Sequence, residues 1–331
     1  MNIAVIGAGA WGTAFSLQLA NRGHKITLWA YEPELPGIVE ETRENAYYLP
    51  GFRLPEGIEC TNDLRRAVGS SEDIVVATPS FALRPTLTGV SEGLSSNKRM
   101  LALTKGLEVR TLFRMSQVVA ETAGKHVPLA ILSGPSFALE VAKGFFTSVV
   151  VASANGELSR HFQEMSHDAR FRVYTSGDVI GVELGGALKN VMAIGAGIIE
   201  GLGLGHNTLA AYITRALAEI KRLGGKLGAR ETTFMGLSGI GDLILTCTGP
   251  LSRNRAFGVE LAKGKDPRAI IGVQKAVVEG FYTIGAAYQL SRALQIEMPI
   301  TEELYRVVHE GKDIRASFED ICGRAIKEED S

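Results

Sequence analysis

The chain has 331 residues, of which 45% are hydrophobic and 21% are charged, a composition typical of a globular protein large enough for two cores. Its 35 basic and 36 acidic side chains give a formal net charge of -1, so no global charge favours nucleic acid or an anionic membrane as a partner. The three cysteines, Cys60, Cys247 and Cys322, are widely spaced, which argues against a disulfide framework or a thiolate zinc site and fits a reducing compartment.

Short apolar runs alternate with helical patterns in the first half of the chain. The chain opens directly on the first strand-like run, without a basic region followed by an apolar segment, so we expect no signal peptide. The alternation predicts parallel crossover units in a doubly wound, mainly parallel sheet. The strand-like runs lie at 2–6, 25–29, 73–78, 99–104, 129–133 and 148–152, and helical patterns between them include 12–21, 81–92 and 111–122.

Proline and helical spacing mark the rest of the organisation. Four prolines between Pro33 and Pro55 predict an irregular insertion after the second strand. After a last extended run at 171–175, long helical patterns take over, which predicts an α/β domain at 1–177 and an all-α domain at 178–331. The most apolar stretch, 179–204, contains three charged residues that would cost about 2.5–3.5 kcal/mol each in a membrane. We therefore expect a buried helix there and no membrane span.

Three glycines directly after the first strand form a Gly-x-Gly-x-x-Gly motif. Gly7 permits a tight turn, Gly9 lets the backbone approach a pyrophosphate, and Gly12 allows close helix–strand packing. The N-terminus of the following helix would supply free N–H groups to the phosphates. Glu32, near the end of the second strand, is placed to bind ribose hydroxyls, with a solvated loop glutamate as the alternative. NAD and NADP both stay open.

Lys189 lies inside an otherwise apolar, glycine-rich helical segment. Gly181 and Gly185 share its face of the helix and are expected to leave space beside it. A desolvated lysine has a lowered pKa and exchanges protons near neutrality, as the interconversion of an alcohol and a ketone requires. The alternative is a structural lysine that reaches the surface or pairs with Glu183 or Glu200.

Further polar residues lie in segments whose neighbours predict burial or a helix start. Asp242 has apolar neighbours and needs a cation, for which Lys189 is the candidate, or else it is a helix N-cap. Ser252, Arg253 and Asn254 combine a capping hydroxyl, a guanidinium fork and an amide at a predicted helix start. That set is suited to a phosphate, although a capped surface helix has the same residues.

Two strand ends carry the remaining candidates. Lys105 follows the strand at 99–104, where open α/β sheets bind ligands, and it could stabilise an alkoxide or hold a phosphate; an exposed loop lysine is the alternative. Gly134 and Ser136 offer backbone and hydroxyl contacts after the strand at 129–133, and Pro135 stiffens that turn. The histidines are given no role.

Six segments beyond the glycine motif together resemble bacterial NAD(P)-dependent glycerol-3-phosphate dehydrogenase, over a span from Gly7 to about Arg324. The segments are LTKGLE from Leu103, SGPSFALEVAKG from Ser133, ELGGALKNVMAIGAG from Glu183, GLSGIGDLILTCT from Gly236, SRNRAFG from Ser252 and VVEG from Val277. The resemblance implies an N-terminal Rossmann domain and an all-α C-terminal domain similar to that of 6-phosphogluconate dehydrogenase. It also implies interconversion of dihydroxyacetone phosphate and sn-glycerol 3-phosphate, supplying phospholipid synthesis.

The resemblance assigns roles to individual residues of this chain. Lys189 matches the catalytic lysine, and we place Asp242 and Lys105 beside it as catalytic residues. The implied substrate contacts are Lys105, Gly134, Ser136, Lys189, Asn190, Asp242, Thr246, Ser252, Arg253 and Asn254. The implied dinucleotide contacts are Gly7, Gly9, Ala10, Trp11, Gly12, Tyr31, Lys105, Ala138, Arg253, Val277 and Glu279.

Two positions depart from the family pattern, and two other functions compete. Ser136 replaces a frequent threonine but keeps the hydroxyl, whereas Tyr31 replaces a basic or histidine side chain and so weakens any argument for NADP. The alternatives are a 3-hydroxyacid dehydrogenase or ketopantoate reductase of the same architecture, or a non-catalytic dinucleotide-binding regulator. A homodimer through the helical half is an option that the sequence leaves open.

Overall fold

An eight-stranded sheet organises the first half of the chain in the computed structural model, which describes residues 1–94, 97–273, 277–325 and 328. The strand order is β3-β2-β1-β4-β5-β6-β7-β8. Strands β1 to β6 are parallel, β7 is antiparallel to β6, and β8 is parallel to β7. The strands are β1 (Asn2–Ile6), β2 (Lys25–Trp29), β3 (Ile58–Thr61), β4 (Asp73–Val76), β5 (Arg99–Ala102), β6 (Leu129–Ser133), β7 (Thr147–Ala152) and β8 (Phe171–Ser176).

Helices cover both faces of this sheet. In β1 the side chains of Ile3 and Val5 belong to one apolar core, and those of Ala4 and Ile6 belong to another on the opposite face. Because both faces are covered, the strands are apolar at successive positions rather than alternating. The connecting helices are α1 (Ala10–Asn21), α2 (Leu35–Thr42), α3 (Leu64–Gly69), α4 (Ser80–Thr88), α5 (Met115–Thr122), α6 (Ala138–Ala142) and α7 (Gly156–Ser166), with a 3-10 turn at Ser91–Gly93.

The prediction of an irregular insertion after β2 is wrong in part. That segment contains the two-turn helix α2, with Pro36 in its first turn where a missing N–H costs nothing, and the edge strand β3. Two predicted helices are shorter than their patterns, because α4 ends at Thr88 and α5 begins only at Met115. The amphipathic helix α7 was not predicted, since seven of its eleven residues are polar or charged.

The second half is helical throughout the described residues. Its central helix, α8, is buried on all sides from Gly181 to Ile199 and is surrounded by α9, α11, α12 and α14. By length and composition alone α8 could cross a membrane, yet its apolar part is buried inside the protein, as expected for the core helix of this half. The helices are α8 (Val179–Gly201), α9 (Gly205–Lys226), α10 (Glu231–Phe234), α11 (Asp242–Thr248), α12 (Arg253–Ala262), α13 (Pro267–Gly272), α14 (Glu279–Ala293), α15 (Pro299–Glu310) and α16 (Ile314–Cys322).

Glycines allow α12 to cross α8 at very short range. A Cβ added to Gly197 would lie 1.9 Å from the carbonyl oxygen of Arg255, and one added to Gly258 would lie 2.0 Å from that of Ile194. No other residue fits at either position without displacing backbone. This crossing brings the first turn of α12 against the middle of α8, where the candidate lysine lies.

Candidate active site

The glycine motif forms a tight loop between β1 and α1. Gly7 has a φ of +116°, and a Cβ there would lie 2.8 Å from the carbonyl oxygen of Ala77. A Cβ on Gly12 would lie 1.9 Å from the carbonyl oxygen of Gly7, so the helix packs directly on the loop. Gly9 instead faces open space and caps α1 without a side-chain hydrogen bond. Free N–H groups beside open space fit the diphosphate of a dinucleotide.

The remaining dinucleotide candidates lie around this loop or at the start of α14. Ala10 and Trp11 form the first turn of α1, and the buried indole N–H of Trp11 has no hydrogen-bond partner among the described residues. Tyr31 is 80% exposed, edge-on to Trp29. Two further candidates lie close to the start of a helix. Ala138 begins α6, and Val277 is partly buried two residues before α14.

Asp242 holds two lysine ammonium groups at once. One carboxylate oxygen accepts a hydrogen bond from Lys189 Nζ, and the other accepts one from Lys105 Nζ at 2.9 Å. The aspartate is fully buried at the start of α11, and Lys189 is nearly so in α8. Burial acts to raise the pKa of Asp242, but the charges of Lys105 and Lys189 outweigh it and hold that pKa below its usual value. The carboxylate is therefore ionised.

The pKa of Lys189 moves in the direction that proton exchange requires. Burial lowers it to about 8 against the opposing charge of Asp242, and the charge of Lys105 lowers it further. At a pKa near 8 both the ammonium and the amine are populated in neutral to mildly alkaline solution. The residue can therefore act both as an acid and as a base.

The space expected beside Lys189 is filled by protein. A Cβ on Gly185 would lie 2.2 Å from the carbonyl oxygen of Ser238, and one on Gly181 would lie 2.3 Å from the Asp178 carboxylate. The prediction of open space at these glycines is thus wrong. They let the turn Leu237–Gly241 pack against α8, and that turn leads directly into Asp242.

Lys105 reaches the same point from the sheet. Besides Asp242, its Nζ donates to the carbonyl oxygen of Gly134 at 3.0 Å and lies 3.4 Å from Ser136 Oγ. Ser136 Oγ in turn donates to the Gly134 oxygen at 2.9 Å. Thr246, one turn into α11, donates its hydroxyl to the backbone oxygen of Asp242 at 2.6 Å. The candidates at two strand ends and on two helices therefore meet at one carboxylate.

Two asparagines connect this cluster to α12. Asn254 Nδ2 donates to Asn190 Oδ1 at 2.9 Å, and Asn190 Nδ2 donates to the carbonyl oxygen of Lys105 at 3.2 Å. Asn254 Oδ1 also accepts from the N–H of Gly280 at 2.9 Å. The amide pair thus links α8, α12, α14 and the loop after β5, and it joins the residue next to Lys189 to the residue next to Arg253.

The first turn of α12 carries the phosphate candidates. Ser252 caps the helix by accepting the N–H of Arg255 at 3.2 Å. Arg253 is exposed and makes no salt bridge with any residue in the described ranges, and its electrostatic neighbour is Glu279. Arg255, two residues along, is instead paired with Glu200. Arg253 is therefore a cation available to a ligand.

Two carboxylates, one buried and one partly buried, hold the sheet half against the helical half, and no sequence pattern predicted their partners. Glu279 accepts from the N–H and hydroxyl of Ser80, at 2.9 and 2.6 Å, at the start of α4. Glu183, considered as a partner of Lys189, instead accepts from Ser116 at the start of α5 and from Arg114. These partners are 67 to 199 residues away, beyond the reach of any local pattern.

Comparison with known proteins assigns the chain to a family. The models of the N-terminus and C-terminus of NAD-dependent glycerol-3-phosphate dehydrogenase match residues 2–159 and 178–319. The chain belongs to the NAD-dependent glycerol-3-phosphate dehydrogenase family. It is 46% identical over 329 residues to glycerol-3-phosphate dehydrogenase [NAD(P)+] of Geobacter sp. (strain M21), covering 99% of this chain and 98% of that relative. The expected family and enzyme class, a dehydrogenase that uses NAD or NADP, are confirmed.

Solved structures agree with the family assignment. The crystal structure of glycerol-3-phosphate dehydrogenase from Coxiella burnetii matches with a TM-score of 0.94 and 40% identity, over 98% of this chain and 99% of that one. A ketopantoate reductase from Ralstonia eutropha matches over 97% of this chain and 99% of that one with a TM-score of 0.64, but at 18% identity it shares the fold alone. The expected fold class, a Rossmann domain followed by an all-α domain, is confirmed.

Proposed function

We propose that this chain interconverts dihydroxyacetone phosphate and sn-glycerol 3-phosphate with NAD or NADP, with Lys189 as the general acid and base. The observation that supports it best is the buried Asp242 carboxylate with two lysine ammonium groups. Asn190, next to Lys189, is hydrogen-bonded to Asn254, next to Arg253, and Arg253 makes no salt bridge among the described residues. With both lysines protonated, this triad carries one surplus positive charge in a largely buried site. A surplus cation stabilises the oxygen of a ketone as it becomes an alkoxide.

A dinucleotide held by the glycine loop and the start of α1 would supply the hydride for the proposed reduction. Lys189 donates its proton to the carbonyl oxygen and afterwards holds a neutral amine beside Asp242. In the oxidation the amine takes the hydroxyl proton instead. Asp242 orients the Lys189 ammonium, and Lys105, fixed by Gly134 and Asp242, stabilises negative charge on the same oxygen.

At the other end of the substrate, we propose a phosphate site made by Ser252, Arg253 and Asn254. The guanidinium has no competing salt bridge among the described residues, and the first turn of α12 adds backbone N–H groups. The hydrogen bond between Asn190 and Asn254 fixes the position of this site relative to Lys189. A three-carbon substrate would lie across it, its phosphate on α12 and its carbonyl at Lys189.

The finer assignments concern the division into domains, the cellular location and the assembly of the chain. We propose two domains, 1–177 and 178–331, with the active site between them. We further propose a cytoplasmic enzyme that supplies glycerol phosphate for phospholipid synthesis and acts on small molecules. A homodimer through the helical half is compatible with exposed apolar side chains there, such as Met235 and Ile244.

The pH dependence should follow the pKa of Lys189, which lies at about 8. Reduction needs the ammonium, so kcat/KM for dihydroxyacetone phosphate should be level below this pH and fall above it, by about tenfold per pH unit. Oxidation needs the amine, so kcat/KM for sn-glycerol 3-phosphate should rise through the same pH. Initial rates in both directions across the range, at saturating dinucleotide, measure this. Profiles without opposite trends would contradict the assigned proton transfer.

The substrate assignment is tested by measuring kcat/KM for the reduction of dihydroxyacetone phosphate, phosphate-free dihydroxyacetone and ketopantoate. The oxidation of 3-hydroxyisobutyrate is measured beside them. We expect a strong preference for the phosphate ester in kcat/KM. In Arg253→Ala that preference should fall by about 2–5 kcal/mol, because a charge-assisted contact to the phosphate is lost. Turnover of phosphate-free dihydroxyacetone should change little in this variant.

Arg255→Ala is the matched control, since it removes the same side chain two residues along, where the guanidinium is paired with Glu200. Its preference for the phosphate ester should equal that of the wild type. A wild-type preference in Arg253→Ala would eliminate the phosphate site on α12. Preference of the unmodified protein for ketopantoate or 3-hydroxyisobutyrate would refute the substrate assignment, and NADH binding without any turnover would indicate a regulator.

A further inference from the structure

An acidic residue follows the second strand of the sheet, next to the glycine loop. β2 is in register with β1, with Trp29 opposite Ile6, and the N–H of Gly7 donates to the carbonyl oxygen of Trp29 at 3.1 Å. The chain therefore leaves β2 beside the first glycine of the loop. Glu32 follows three residues later and is partly buried.

A chain of hydrogen bonds ties the Glu32 carboxylate to the glycine loop. Tyr48 donates its hydroxyl to Glu32 Oε1. The N–H of Tyr48 donates to Asn45 Oδ1 at 3.2 Å, and Asn45 Nδ2 donates to the carbonyl oxygen of Ala8 at 2.7 Å. Ala8 lies between Gly7 and Gly9, and Asn45 is fully buried. Glu32 is thus a positioned residue of the nucleotide crevice and not a solvated loop glutamate.

The surroundings of Glu32 are acidic. Glu34 accepts a hydrogen bond from Tyr47 at 3.3 Å, next to Tyr48. Burial raises the pKa of Tyr48 to about 12, and the hydrogen bond and charge of Glu32 and the charge of Glu34 act in the same direction. In the part of the chain that the structure describes, no lysine or arginine forms a hydrogen bond or salt bridge with either glutamate.

Arg43, the first basic residue after Glu34, binds backbone carbonyl groups. Arg43 donates its guanidinium to the carbonyl oxygens of Leu54, Pro55 and Ile58. Ile58 begins β3, which is parallel to β2, so Arg43 lies toward the opposite end of these strands from Glu32. Its guanidinium is therefore occupied by backbone hydrogen bonds and cannot neutralise a phosphate at the carboxyl end of β2.

We propose that this protein binds NAD(H) in preference to NADP(H), with Glu32 as the discriminating residue and Tyr48 as the residue that positions it. The proposal rests on the proposed function for the presence of a dinucleotide site. A fixed carboxylate at the end of β2 accepts hydrogen bonds from the adenosine ribose hydroxyls. A 2′-phosphate at the same place would meet Glu32 and Glu34 without a cation, and this like-charge contact is unfavourable.

Binding measured without substrate tests the proposal. Dissociation constants for NADH and NADPH are obtained from the quenching of tryptophan fluorescence in the full chain. We expect the wild type to bind NADH about 100-fold more tightly than NADPH, or more. Glu32→Gln should weaken NADH and strengthen NADPH, reducing the ratio to about tenfold or less. Tyr48→Phe, which removes only the hydroxyl, should shift the ratio in the same direction by a smaller amount.

Glu40→Gln is the matched control, because it makes the same change of charge on an exposed position of α2. Its ratio of NADH affinity to NADPH affinity should equal that of the wild type. A general effect of protein charge would instead change this ratio in both variants. Equal affinity of the wild type for both dinucleotides would overturn the proposal, as would an unchanged ratio in Glu32→Gln. Selective NADH binding without reduction of dihydroxyacetone phosphate would refute the proposed function and leave this inference standing.

Discussion

Lys189→Ala is expected to reduce kcat for dihydroxyacetone phosphate by at least about 100-fold, the scale of a lost proton-transfer group. The side chain that the structure pairs with Asp242 would be gone, while Lys105 would still neutralise the carboxylate. The fold and the dinucleotide site should therefore survive. Single-turnover oxidation of NADH and the affinity for NADH, measured on the same preparation, separate loss of proton transfer from loss of cofactor binding.

Lys189→Arg provides the charge-matched comparison. A guanidinium keeps the positive charge and can still bind Asp242, but it does not release a proton near neutrality. If Lys189 acts by proton transfer, this variant should be nearly as slow as Lys189→Ala. If it acts only as a fixed charge, the arginine should recover much of the turnover, and the assignment as general acid and base would be wrong.

Asp242→Asn is expected to be the most destabilising substitution in the site. It leaves two ammonium groups together in a buried position without their counter-ion, and breaking a buried ion pair in this way costs about 3–5 kcal/mol. The same loss of orientation at Lys189 should lower turnover. The free energy of unfolding from urea titration, measured beside kcat, tests both effects.

Asp266→Asn is the control for that measurement. Among the described residues its carboxylate accepts only the N–H of Ala269 at the start of α13, a role that asparagine fills equally well. Its free energy of unfolding should lie within about 0.5 kcal/mol of the wild type. A similar value for Asp242→Asn would mean that the two lysines do not depend on that carboxylate for their placement.

The site depends on how firmly the two halves of the molecule are joined. Lys105 belongs to the sheet half, whereas Lys189 and Asp242 belong to the helical half. Their common geometry is supported by Glu183 and Glu279, each of which binds the N–H of a residue at the start of a helix on the sheet. Carboxylates at helix N-termini are stabilised by both hydrogen bonds and the helix dipole. These bonds between the halves therefore fix Lys105 relative to Lys189 and Asp242.

Much of the fold was predictable because its signals are local. The bounds predicted for the strands at 2–6, 25–29 and 129–133 equal those of β1, β2 and β6, since buried strands are short apolar runs between turn residues. The edge strand β3 was missed because it has only four residues and Glu59 interrupts its apolar pattern. The reversal of β7 against β6 carries no local signal, because a strand's direction is set by its connections.

The same distinction applies to the candidate site. A pairing of Lys189 with Asp242 was predicted because a buried charge requires a counter-ion, and the structure contains that pair. The second ammonium on the same carboxylate, from Lys105, was not predicted, since either lysine alone would satisfy the requirement. The network from Glu32 through Tyr48 and Asn45 to Ala8 lies in the segment that was expected to be irregular.

The sequence by itself determined the chemistry available to this protein, namely a glycine loop for a dinucleotide, a desolvated lysine and a cation at a helix start. Those features depend on residue type and short spacing, so they can be read without coordinates. Only the tertiary structure decided which groups act together. The Asp242 carboxylate joins residues 137 and 53 positions away, and glycines on α8 and α12 set the crossing that brings Asn254 to Asn190. Such contacts depend on distance in space, which packing fixes and local sequence does not.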